Sequence, residues 1–590
     1  MKPLTALLSK LPAMNWLRSY NLQVLGSDVL AACIVTLMLI PQSLAYALLA
    51  GLPAETGLYA SMLPLCAYAL FGSSRTLSVG PVAVISLMTA VAIGRLDPAV
   101  TGLSHIQAAG VLALESGLML LVLGVLRFGF VANFLSHPVV AGFISSSGVI
   151  IVLSQLKHLL GIAASGDTLP ALLLSLFAGI SHTNLSTLLL GLVTLAYLLW
   201  ARTFLPLLLK RLHTPAFLGN LCVKAAAILA LLVGTTLAWQ LRLDQYGIAL
   251  VGTIPATLPA LQLPPLRAAT FYVLAPSAML ISLIGYVESI SVGKTLGGRR
   301  QQKINPDQEL VGLGVANIAS AVSGGFPVTG GFSRSIVNFD AGAETPAAGF
   351  FTALGMLLAV LLLTPLLAWL PNATLAAIII VAVMNLIDFS ILRLTWNYSR
   401  NDFIAVLATI LVTLWWGVET GVSCGVVASL LLHLYKSSRP HIAEVGEIAG
   451  TGHFRNIQRH SVETHPSILS LRVDESLYFA NASFIEDEIF RTLQSRPRIR
   501  NVILLCAAVN EIDLSALDVL FTVNRRLQAM QIGFHLSEVK GPVMDALQKT
   551  DFLQQLHGDV FLSHGLAVHT LLERELQSHR VHPEFQDYQI

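Results

Sequence analysis

Small residues and a proline precede a short apolar run at Ser78-Val79-Gly80-Pro81, and the apolar residues 82–93 follow. Proline is favoured in the first turn of a helix, where its missing N–H group costs nothing. The run is shorter than the roughly 20 residues that cross a bilayer. We therefore expect a helix that begins at membrane depth, whose unpaired N–H groups and positive dipole end form a site for an anion. The alternative is a structural helix that is kinked at the proline.

A second stretch of the same kind lies in the other half of the chain. Phe326-Pro327 and Gly330-Gly331 precede a short helical pattern that begins at Phe332 and ends near Phe339. Half-helices at corresponding positions of two halves are typical of membrane transporters with inverted repeats. Arg334, close to the start of this helix, adds positive charge for an anion. The alternative for Arg334 is a side chain that extends to the membrane surface.

Two acidic residues interrupt apolar segments. Glu288 lies inside the segment 280–292, where a carboxyl group is costly and typical of a cation ligand or a proton carrier. A structural carboxyl group that is satisfied by serine or main-chain donors is the alternative. Glu115 has small neighbours, which favour helix packing, so we interpret it as a structural residue.

Polar residues follow a proline in the first long apolar segment. Pro41 is expected to break the helix there. Gln42 and Tyr46 are four residues apart and therefore share one helix face. We interpret them as lining a polar cavity, although satisfying the groups freed by the kink is an alternative role.

The composition indicates the kind of protein that carries these residues. Of 590 residues, 55% are apolar and 12% are charged, whereas soluble proteins carry roughly 25% charged residues. Residues 1–440 hold 22 Lys and Arg and 14 Asp and Glu, while residues 441–590 hold 13 and 19, with 10 of the 16 histidines. The chain therefore joins a membrane body to a water-soluble tail. The net charge of +2 gives no indication of nucleic-acid binding, and we expect none.

The tail shows the alternation of an α/β domain. Its apolar patterns predict strands at 468–473, 476–479, 501–506 and 533–539, and helices at 483–493, 515–530, 542–548 and 566–576. No phosphate-binding loop, dinucleotide fingerprint or paired catalytic carboxylates are recognisable, so we expect no enzyme and no cofactor. Cys33, Cys66, Cys222, Cys424 and Cys506 are scattered without metal-ligand or disulfide spacing, so we expect no metal site.

Hydropathy over residues 29–433 gives ten to fourteen membrane spans. The loop cations favour fourteen, with both termini cytoplasmic, because cytoplasmic loops are enriched in Lys and Arg. The N-terminal arm then carries Lys2, Lys10 and Arg18, and Lys436 and Arg439 follow the last span. The cytoplasmic loops hold Arg75, Arg127, Arg202, Lys210, Arg211, Lys294, Arg299, Arg300, Lys303, Arg393 and Arg400, and the outer loops hold Arg95, Lys157, Arg242 and Arg267.

In these motifs the chain resembles the sulfate permease (SulP) family of anion transporters. The matching segments occur in the family's order along the chain. They are Pro41-Gln42-Ser43-Leu44-Ala45-Tyr46-Ala47, Gly57-Leu58-Tyr59-Ala60-Ser61, Gly72-Ser73-Ser74-Arg75, Ser78-Val79-Gly80-Pro81, Glu288-Ser289-Ile290-Ser291, Asn305-Pro306-Asp307-Gln308-Glu309-Leu310 and 325–335.

The resemblance implies an all-α membrane protein of about fourteen spans, in two inverted seven-span repeats that form core and gate domains. It also implies elevator-like transport within a homodimer. The bound anion would lie between the half-helices, and the implied binding residues are Gln42, Tyr46, Val82, Ala83, Phe332, Ser333 and Arg334. In coupled family members the acid that matches Glu288 takes part in cation coupling. A sodium-coupled bicarbonate branch carries Asp there with a hydroxyl residue one turn later, whereas this chain has Glu288 and Val292, which favours protons.

The tail resembles a cytoplasmic STAS domain, the fold of bacterial anti-sigma-factor antagonists. Leu471-Arg472-Val473, 477–482 and Asp513-Leu514-Ser515-Ala516-Leu517 carry the match. In the antagonists, the serine that matches Ser515 is phosphorylated at a helix N-terminus, where added negative charge is favoured. Ser515 is thus a candidate regulatory residue, and an ordinary N-cap is the alternative.

We therefore expect a cytoplasmic arm (1–26), a transmembrane transport domain (27–437) and a cytoplasmic STAS domain (438–590), in the inner membrane of a cell. The expected function is proton-coupled uptake of an inorganic anion, most simply sulfate. Sodium-coupled bicarbonate transport, dicarboxylate symport and an uncoupled anion channel or exchanger are the alternatives. The expected partners are the anion, H⁺ or Na⁺, the lipid bilayer, a second copy of the chain and a cytosolic protein that binds the STAS domain.

Overall fold

The computed structural model of the chain describes residues 12–18, 20–96, 102–134, 136–211, 216–252 and 257–581. The side chains of residues 15, 133–134, 216–224 and 578–581 lie outside this description. Lys2 and Lys10, which entered the orientation argument, and the side chain of Cys222 therefore fall outside the described residues. The chain divides into two compact units, Met1–Ser429 and Leu430–Ile590.

The first unit consists mainly of helices, with one pair of two-residue strands. Its first half contains α1 (Pro12–Leu17), α2 (Leu22–Leu49), α3 (Ala54–Tyr59), α4 (Leu63–Phe71), β1 (Val79–Gly80), α5 (Ala83–Gly94), α6 (His105–Val125), α7 (His137–Leu160), α8 (Leu169–Gly179), α9 (Leu185–Thr203), α10 (Leu205–Arg211) and α11 (Ala216–Gln240). Its second half contains α12 (Ala268–Arg299), α13 (Pro306–Val322), β2 (Thr329–Gly330), α14 (Phe332–Asp340), α15 (Ala347–Leu367), α16 (Asn372–Val383), α17 (Ser390–Tyr398), α18 (Arg400–Trp416) and α19 (Val418–Ser438).

Seven helices within the described residues are long and apolar enough to cross a membrane. They are α2, α6, α7, α9, α12, α15 and α19. Four further apolar helical segments are shorter, and they include both α5 and α16. The chain is therefore a multi-pass helical membrane protein, and the predicted count of fourteen spans stays a prediction.

The packing of α6 against α13 provides the rigid support for the short elements. Gly117 of α6 and Gly314 of α13 lie so close that a Cβ atom on Gly117 would be 2.8 Å from the Gly314 carbonyl oxygen. Small residues permit this approach of two helix backbones. From α13, Asn317 then holds the loop that leads to β2, because its amide accepts from the Val328 N–H (2.9 Å) and donates to the Val328 carbonyl (2.9 Å).

The two stretches of small residues pair with each other. β1 and β2 form a two-stranded antiparallel ladder, with Val79 opposite Gly330 and Gly80 opposite Thr329. Each strand leads directly into a short helix, α5 or α14. The pairing therefore places the starts of two helices from opposite halves of the chain side by side.

Pro41 does not break its helix, so that prediction is wrong. α2 runs without interruption from Leu22 to Leu49 with Pro41 in its interior. Pro41 is buried among neighbouring helices, and proline is tolerated in membrane helices where packing satisfies the freed main-chain groups.

The second unit carries a six-stranded sheet in the order β4-β3-β5-β6-β7-β8. The strands are β3 (Ile442–Glu447), β4 (Phe454–Asn456), β5 (Ile468–Val473), β6 (Asn501–Leu505), β7 (Gly533–Ser537) and β8 (Val560–Phe561). The helices are α20 (Ala482–Ser495), α21 (Leu514–Ala529), α22 (Gly541–Leu547), α23 (Phe552–Gln555) and α24 (His564–Val581). Strands β5 to β8 are parallel, whereas β3 is antiparallel to both of its neighbours.

The sequence patterns locate most of the central elements of this unit but misassign one segment. The predicted strand at 476–479 is wrong, because Leu477 makes only an isolated bridge to Ile512. The three strands β3, β4 and β8 were not predicted. β4 and β8 lie at the two edges of the sheet, and strands of two or three residues are too short to show a clear alternation.

Candidate functional site

A cavity of about 240 Å³ lies at the starts of α5 and α14. All eight residues that we predicted for anion binding and ion coupling line it: Gln42, Tyr46, Val82, Ala83, Glu288, Phe332, Ser333 and Arg334. They come from α2, α5, α12 and α14 and are brought together only by folding. Nine further lining residues come from α9, α11 and α16 and the turn after α16: Leu198, Arg202, Ala226, Ala227, Ile378, Val381, Ala382, Asn385 and Leu386.

Both half-helices present uncapped N-termini. Val82 and Gly331, the residues before α5 and α14, have extended backbone and offer no side-chain cap. The first main-chain bonds from these positions are the Ser86 N–H to the Val82 carbonyl (2.9 Å) and the Ser335 N–H to the Gly331 carbonyl (3.0 Å). The N–H groups of the first turn of each helix are consequently free for a ligand, and the positive dipole ends favour a negative one.

Arg334 connects the two half-helices. Its side chain is 2% exposed, and one guanidinium nitrogen, Nη1, donates to the main-chain carbonyl of Pro81, just before α5. Its Nε and Nη2 atoms have no hydrogen-bond partner among the described residues. The alternative of an arginine that extends to the membrane surface does not fit this burial, so the positive charge of Arg334 stays at the cavity.

Glycine makes room for that guanidinium. A Cβ atom on Gly331 would lie 2.9 Å from Arg334 Nη2, and one on Gly80 would lie 3.3 Å from the same atom. Neither glycine requires a left-handed backbone. Their role is therefore the close approach of the main chain to Arg334.

Glu288 lies on α12 beside a network that fixes β2. The next residue, Ser289, shares a hydrogen bond with Thr329 Oγ1 (2.8 Å) and accepts one from the Gly330 N–H (2.8 Å). The Ser289 hydroxyl and the Gly330 N–H are thus engaged within this network and do not donate to Glu288. Glu288 receives no hydrogen bond from any residue in the described part of the chain; it lines the cavity and interacts electrostatically with Arg334.

Gln42 and Tyr46 occupy the cavity side of α2. Ser43, on another face of the same helix, instead pairs with Ser61 through their hydroxyl groups (2.6 Å). Tyr46 is 8% exposed and lines the cavity together with Arg334 and Glu288. Both residues, four positions apart on α2, therefore line the same cavity, and their role in anion binding stays a prediction.

Two structural carboxylates were not recognised as such from the sequence. The buried Glu309 carboxylate accepts hydrogen bonds from the Tyr68 hydroxyl (2.8 Å), the Ser73 hydroxyl (2.7 Å) and the Ser74 N–H (3.0 Å). The buried Asp28 carboxylate accepts from the N–H groups of Glu344 (2.8 Å) and Thr345 (3.1 Å). Partners hundreds of positions away in the chain leave no local signal for such roles.

Ser515 lies in the second unit and is exposed, as the second residue of α21. The alternative interpretation of Ser515 as an N-cap is wrong, because Asp513 caps this helix by accepting from the Ala516 N–H (2.7 Å). Within the described ranges, no group of three or more His, Cys, Asp or Glu residues is arranged to hold a metal ion.

The fold and the cavity define a multi-pass membrane protein with a cavity at the uncapped starts of two half-helices, followed by an α/β unit. The family comparisons give the assignment: the sequence profile of the Sulfate permease family matches residues 25–409, and that of the STAS domain matches residues 459–567. The chain belongs to the Sulfate permease family. Its members are transporters and not enzymes, as predicted.

Individual relatives agree with this assignment. The chain is 34% identical over 575 residues to "Sulfate transporter 4.1, chloroplastic" from Arabidopsis thaliana, covering 93% of this chain and 82% of the relative. The murine anion transporter Slc26a9 in an inward-facing state has the same fold, with a TM-score of 0.85 at 22% identity over 96% of this chain and 95% of that one. The transmembrane domain of the cyanobacterial bicarbonate transporter BicA matches with a TM-score of 0.58 at 23% identity, over 70% and 98% of the two chains.

Proposed function

We propose that the protein is a secondary active transporter that moves an oxyanion, with sulfate as the leading substrate, into the cell together with a proton. The observation that supports this most directly is the convergence of the N-termini of α5 and α14 with Arg334 and Glu288 on one cavity. The relatives named as sulfate transporters support sulfate as the substrate.

Charge balance at the cavity explains why a proton would accompany the anion. Each helix N-terminus contributes about half a positive charge, and Arg334 contributes one. Together they offset about two negative charges, which matches a sulfate dianion. An ionised Glu288 would leave an excess negative charge beside the anion, whereas a protonated Glu288 restores the balance at the half-helices. Arg202, the other cation that lines the cavity, is exposed, so water screens its charge and it contributes only weakly to this balance.

The surroundings of Glu288 favour a proton over sodium as the coupling ion. Sodium needs several oxygen ligands in a fixed arrangement. One turn beyond Glu288 stands Val292, which is apolar and buried, and Ser289 is engaged with β2. A proton requires only the carboxyl group itself.

The transport mechanism that fits this site is an elevator-like movement of a core domain past a gate domain. We assign fourteen spans in two inverted seven-span repeats to residues 27–437, and the STAS domain to residues 438–590. The proposed location is the inner membrane, and the loop cations support an orientation with both termini cytoplasmic. A homodimer is the proposed assembly, and the STAS domain is proposed to bind a cytosolic partner, with Ser515 as a candidate phosphorylation site.

Other anions remain candidates on specific grounds. A site built from main-chain dipoles and one guanidinium selects charge and size, so bicarbonate or a dicarboxylate would also fit it. The fold match to a bicarbonate transporter favours the first of these. An uncoupled channel or exchanger is the second candidate function, and planar-bilayer recordings that show channel conductance would favour it.

Uptake of labelled sulfate into proteoliposomes tests the proposal. The purified full-length chain is reconstituted, and uptake is measured with an inward proton gradient, with an inward sodium gradient and with neither. We expect accumulation only with the proton gradient. Accumulation that depends on sodium alone would contradict the coupling assignment, and absence of sulfate uptake under every gradient would direct the same assay to bicarbonate and dicarboxylates.

A further inference from the structure

The part of the cavity lining that comes from α9, α11 and α16 and the turn after α16 contains a second arginine. Seven of its nine residues are apolar, and the two polar ones are Arg202 and Asn385. Among the described lining residues, Glu288 is the one acid, and Arg202 and Arg334 are the two cations. The cavity is therefore lined by two guanidinium groups, Arg334 from α14 and Arg202 from α9, and by the single carboxyl group of Glu288 from α12.

The position of Arg202 follows from the packing of α9. One turn earlier, Leu198 is 5% exposed and clusters with Ala230 of α11 and with Ala377 and Ile378 of α16. Residues four apart share a helix face, so the face that packs α9 against α16 also carries Arg202 to the cavity. The side chain of Arg202 is exposed.

Arg202 has no competing partner in the part of the chain that the structure describes. It forms no salt bridge and no hydrogen bond there, unlike Arg95, which is paired with Glu419, or Arg334, which donates to Pro81. A cation in the last turn of a helix is favourable with the helix dipole, and this alone would explain an arginine that faces solvent. It does not explain an unpaired arginine on the wall of the anion cavity.

We propose that Arg202 is a specificity-determining residue that favours doubly over singly charged anions. The inference rests on the proposed anion transport. The attraction between Arg202 and an anion is proportional to the charge of the anion, and a cleft with apolar walls strengthens it by focusing the field. Removing Arg202 therefore costs twice as much binding free energy for a dianion as for a monoanion of the same shape. The dissociation constant of the dianion then rises by the square of the factor by which that of the monoanion rises.

The test compares two tetrahedral oxyanions of different charge. Uptake of labelled sulfate gives KM, and unlabelled perchlorate, a monoanion, serves as competitor and gives Ki. The variants are Arg202→Gln, the charge-conserving Arg202→Lys and the control Arg211→Gln. Arg211 is an exposed arginine on α10 that does not line the cavity.

We expect Arg202→Gln to raise the sulfate KM about tenfold and the perchlorate Ki about threefold, because the two factors follow the charges two and one. Arg202→Lys stays close to the wild type, and Arg211→Gln leaves both constants unchanged. Equal changes for sulfate and perchlorate would overturn the proposal, as would equal effects of Arg202→Gln and Arg211→Gln. If perchlorate does not inhibit the wild type, the sulfate KM values of the three variants decide by themselves.

These results are separable from a failure of the transport proposal. A wild-type protein that moves no sulfate under any gradient contradicts the proposed function. A wild-type protein that transports sulfate, with an Arg202→Gln variant of unchanged KM, contradicts only the role of Arg202.

Discussion

Arg334 donates a hydrogen bond to the main-chain carbonyl of Pro81, 253 residues earlier in the chain. This contact joins the start of α5 to the start of α14. It also reinforces the β1–β2 ladder, in which Gly80 pairs with Thr329. The two helix N-termini are thereby held beside one guanidinium group before any anion binds, so binding requires little reorganisation of the site.

Replacing Gly331 with alanine should displace Arg334. The new Cβ atom would lie 2.9 Å from Nη2, 3.1 Å from Cζ and 3.2 Å from Nε of Arg334, so the guanidinium must shift away from its position between the half-helices. We expect sulfate uptake to fall at least about tenfold, the effect of losing about 1.4 kcal/mol of binding free energy. Radioisotope uptake into proteoliposomes measures it.

Gly298→Ala is the matched control for that substitution. A Cβ atom on Gly298 would meet no atom within 4 Å, and the residue is exposed in the last turn of α12. Uptake by this variant should equal that of the wild type. Equal uptake by the Gly331→Ala variant would show that the position of Arg334 is not important for transport.

Replacing Glu288 with glutamine should remove the proton dependence of uptake. Glutamine keeps the size and polarity of the side chain but carries no exchangeable charge, so the proton gradient no longer drives accumulation. Sulfate binding should persist, because the neutral amide resembles the protonated carboxyl group. Uptake with and without a proton gradient, together with sulfate protection against thermal unfolding, measures the two effects.

Glu115→Gln provides the comparison for Glu288→Gln. Glu115 is 3% exposed, and neither carboxyl oxygen has a hydrogen-bond partner among the described residues, but it does not line the cavity. We expect its replacement to leave proton-driven uptake intact. Loss of proton-driven uptake in the Glu115 variant, with retention in the Glu288 variant, would transfer the coupling role to Glu115.

Replacing Glu309 with alanine should destabilise the membrane unit. The carboxylate receives hydrogen bonds from Tyr68 and Ser73 side chains and from the Ser73 and Ser74 N–H groups. Alanine leaves these buried donors without an acceptor, which costs about 1–3 kcal/mol for each unsatisfied group. We expect a lower melting temperature of the purified protein, measured by differential scanning fluorimetry, whereas Asp244→Ala at an exposed position leaves it unchanged.

Two buried histidines should make the STAS domain sensitive to acid. Burial lowers the pKa of His535 and of His564 to about 4, whereas the pKa of a histidine in an unfolded chain is about 6.5. The neutral form is thus favoured in the fold, so this stabilisation is complete above about pH 6.5. It decreases as the pH falls towards 4, because the unfolded chain takes up protons first. The loss reaches up to about 3 kcal/mol for each histidine.

Hydrogen exchange of the β6 and β7 amides in the full-length protein measures this loss. We expect protection to decrease between pH 7 and pH 5, and the double variant His535→Gln, His564→Gln to show a weaker pH dependence. His569→Gln, at an exposed position, serves as control. A wild-type protection that does not change with pH, after correction for intrinsic exchange rates, would contradict the prediction.

Features that depend on neighbouring residues could be predicted from the sequence. The half-helices at Ala83–Gly94 and Phe332–Asp340 begin within one residue of their predicted positions, because proline and glycine act on the first turn of a helix. That Gln42 and Tyr46 share one face of α2 follows in the same way from helical periodicity. The local pattern gave a wrong prediction at Pro41, where packing keeps the helix intact. It gave another at 476–479, where the segment makes only one isolated bridge and does not pair as a strand.

Which distant groups meet depends on how the whole chain folds. The pairing of β1 with β2, the contact of Arg334 with Pro81 and the donors around Glu309 all join residues separated by more than 200 positions. Arg202 was interpreted from the sequence as one loop cation among several, and folding places it on the wall of the cavity. Such contacts depend on how helices pack and leave no periodic trace in the chain. The sequence therefore predicted candidate residues for the site, and packing determined which other residues line the same cavity.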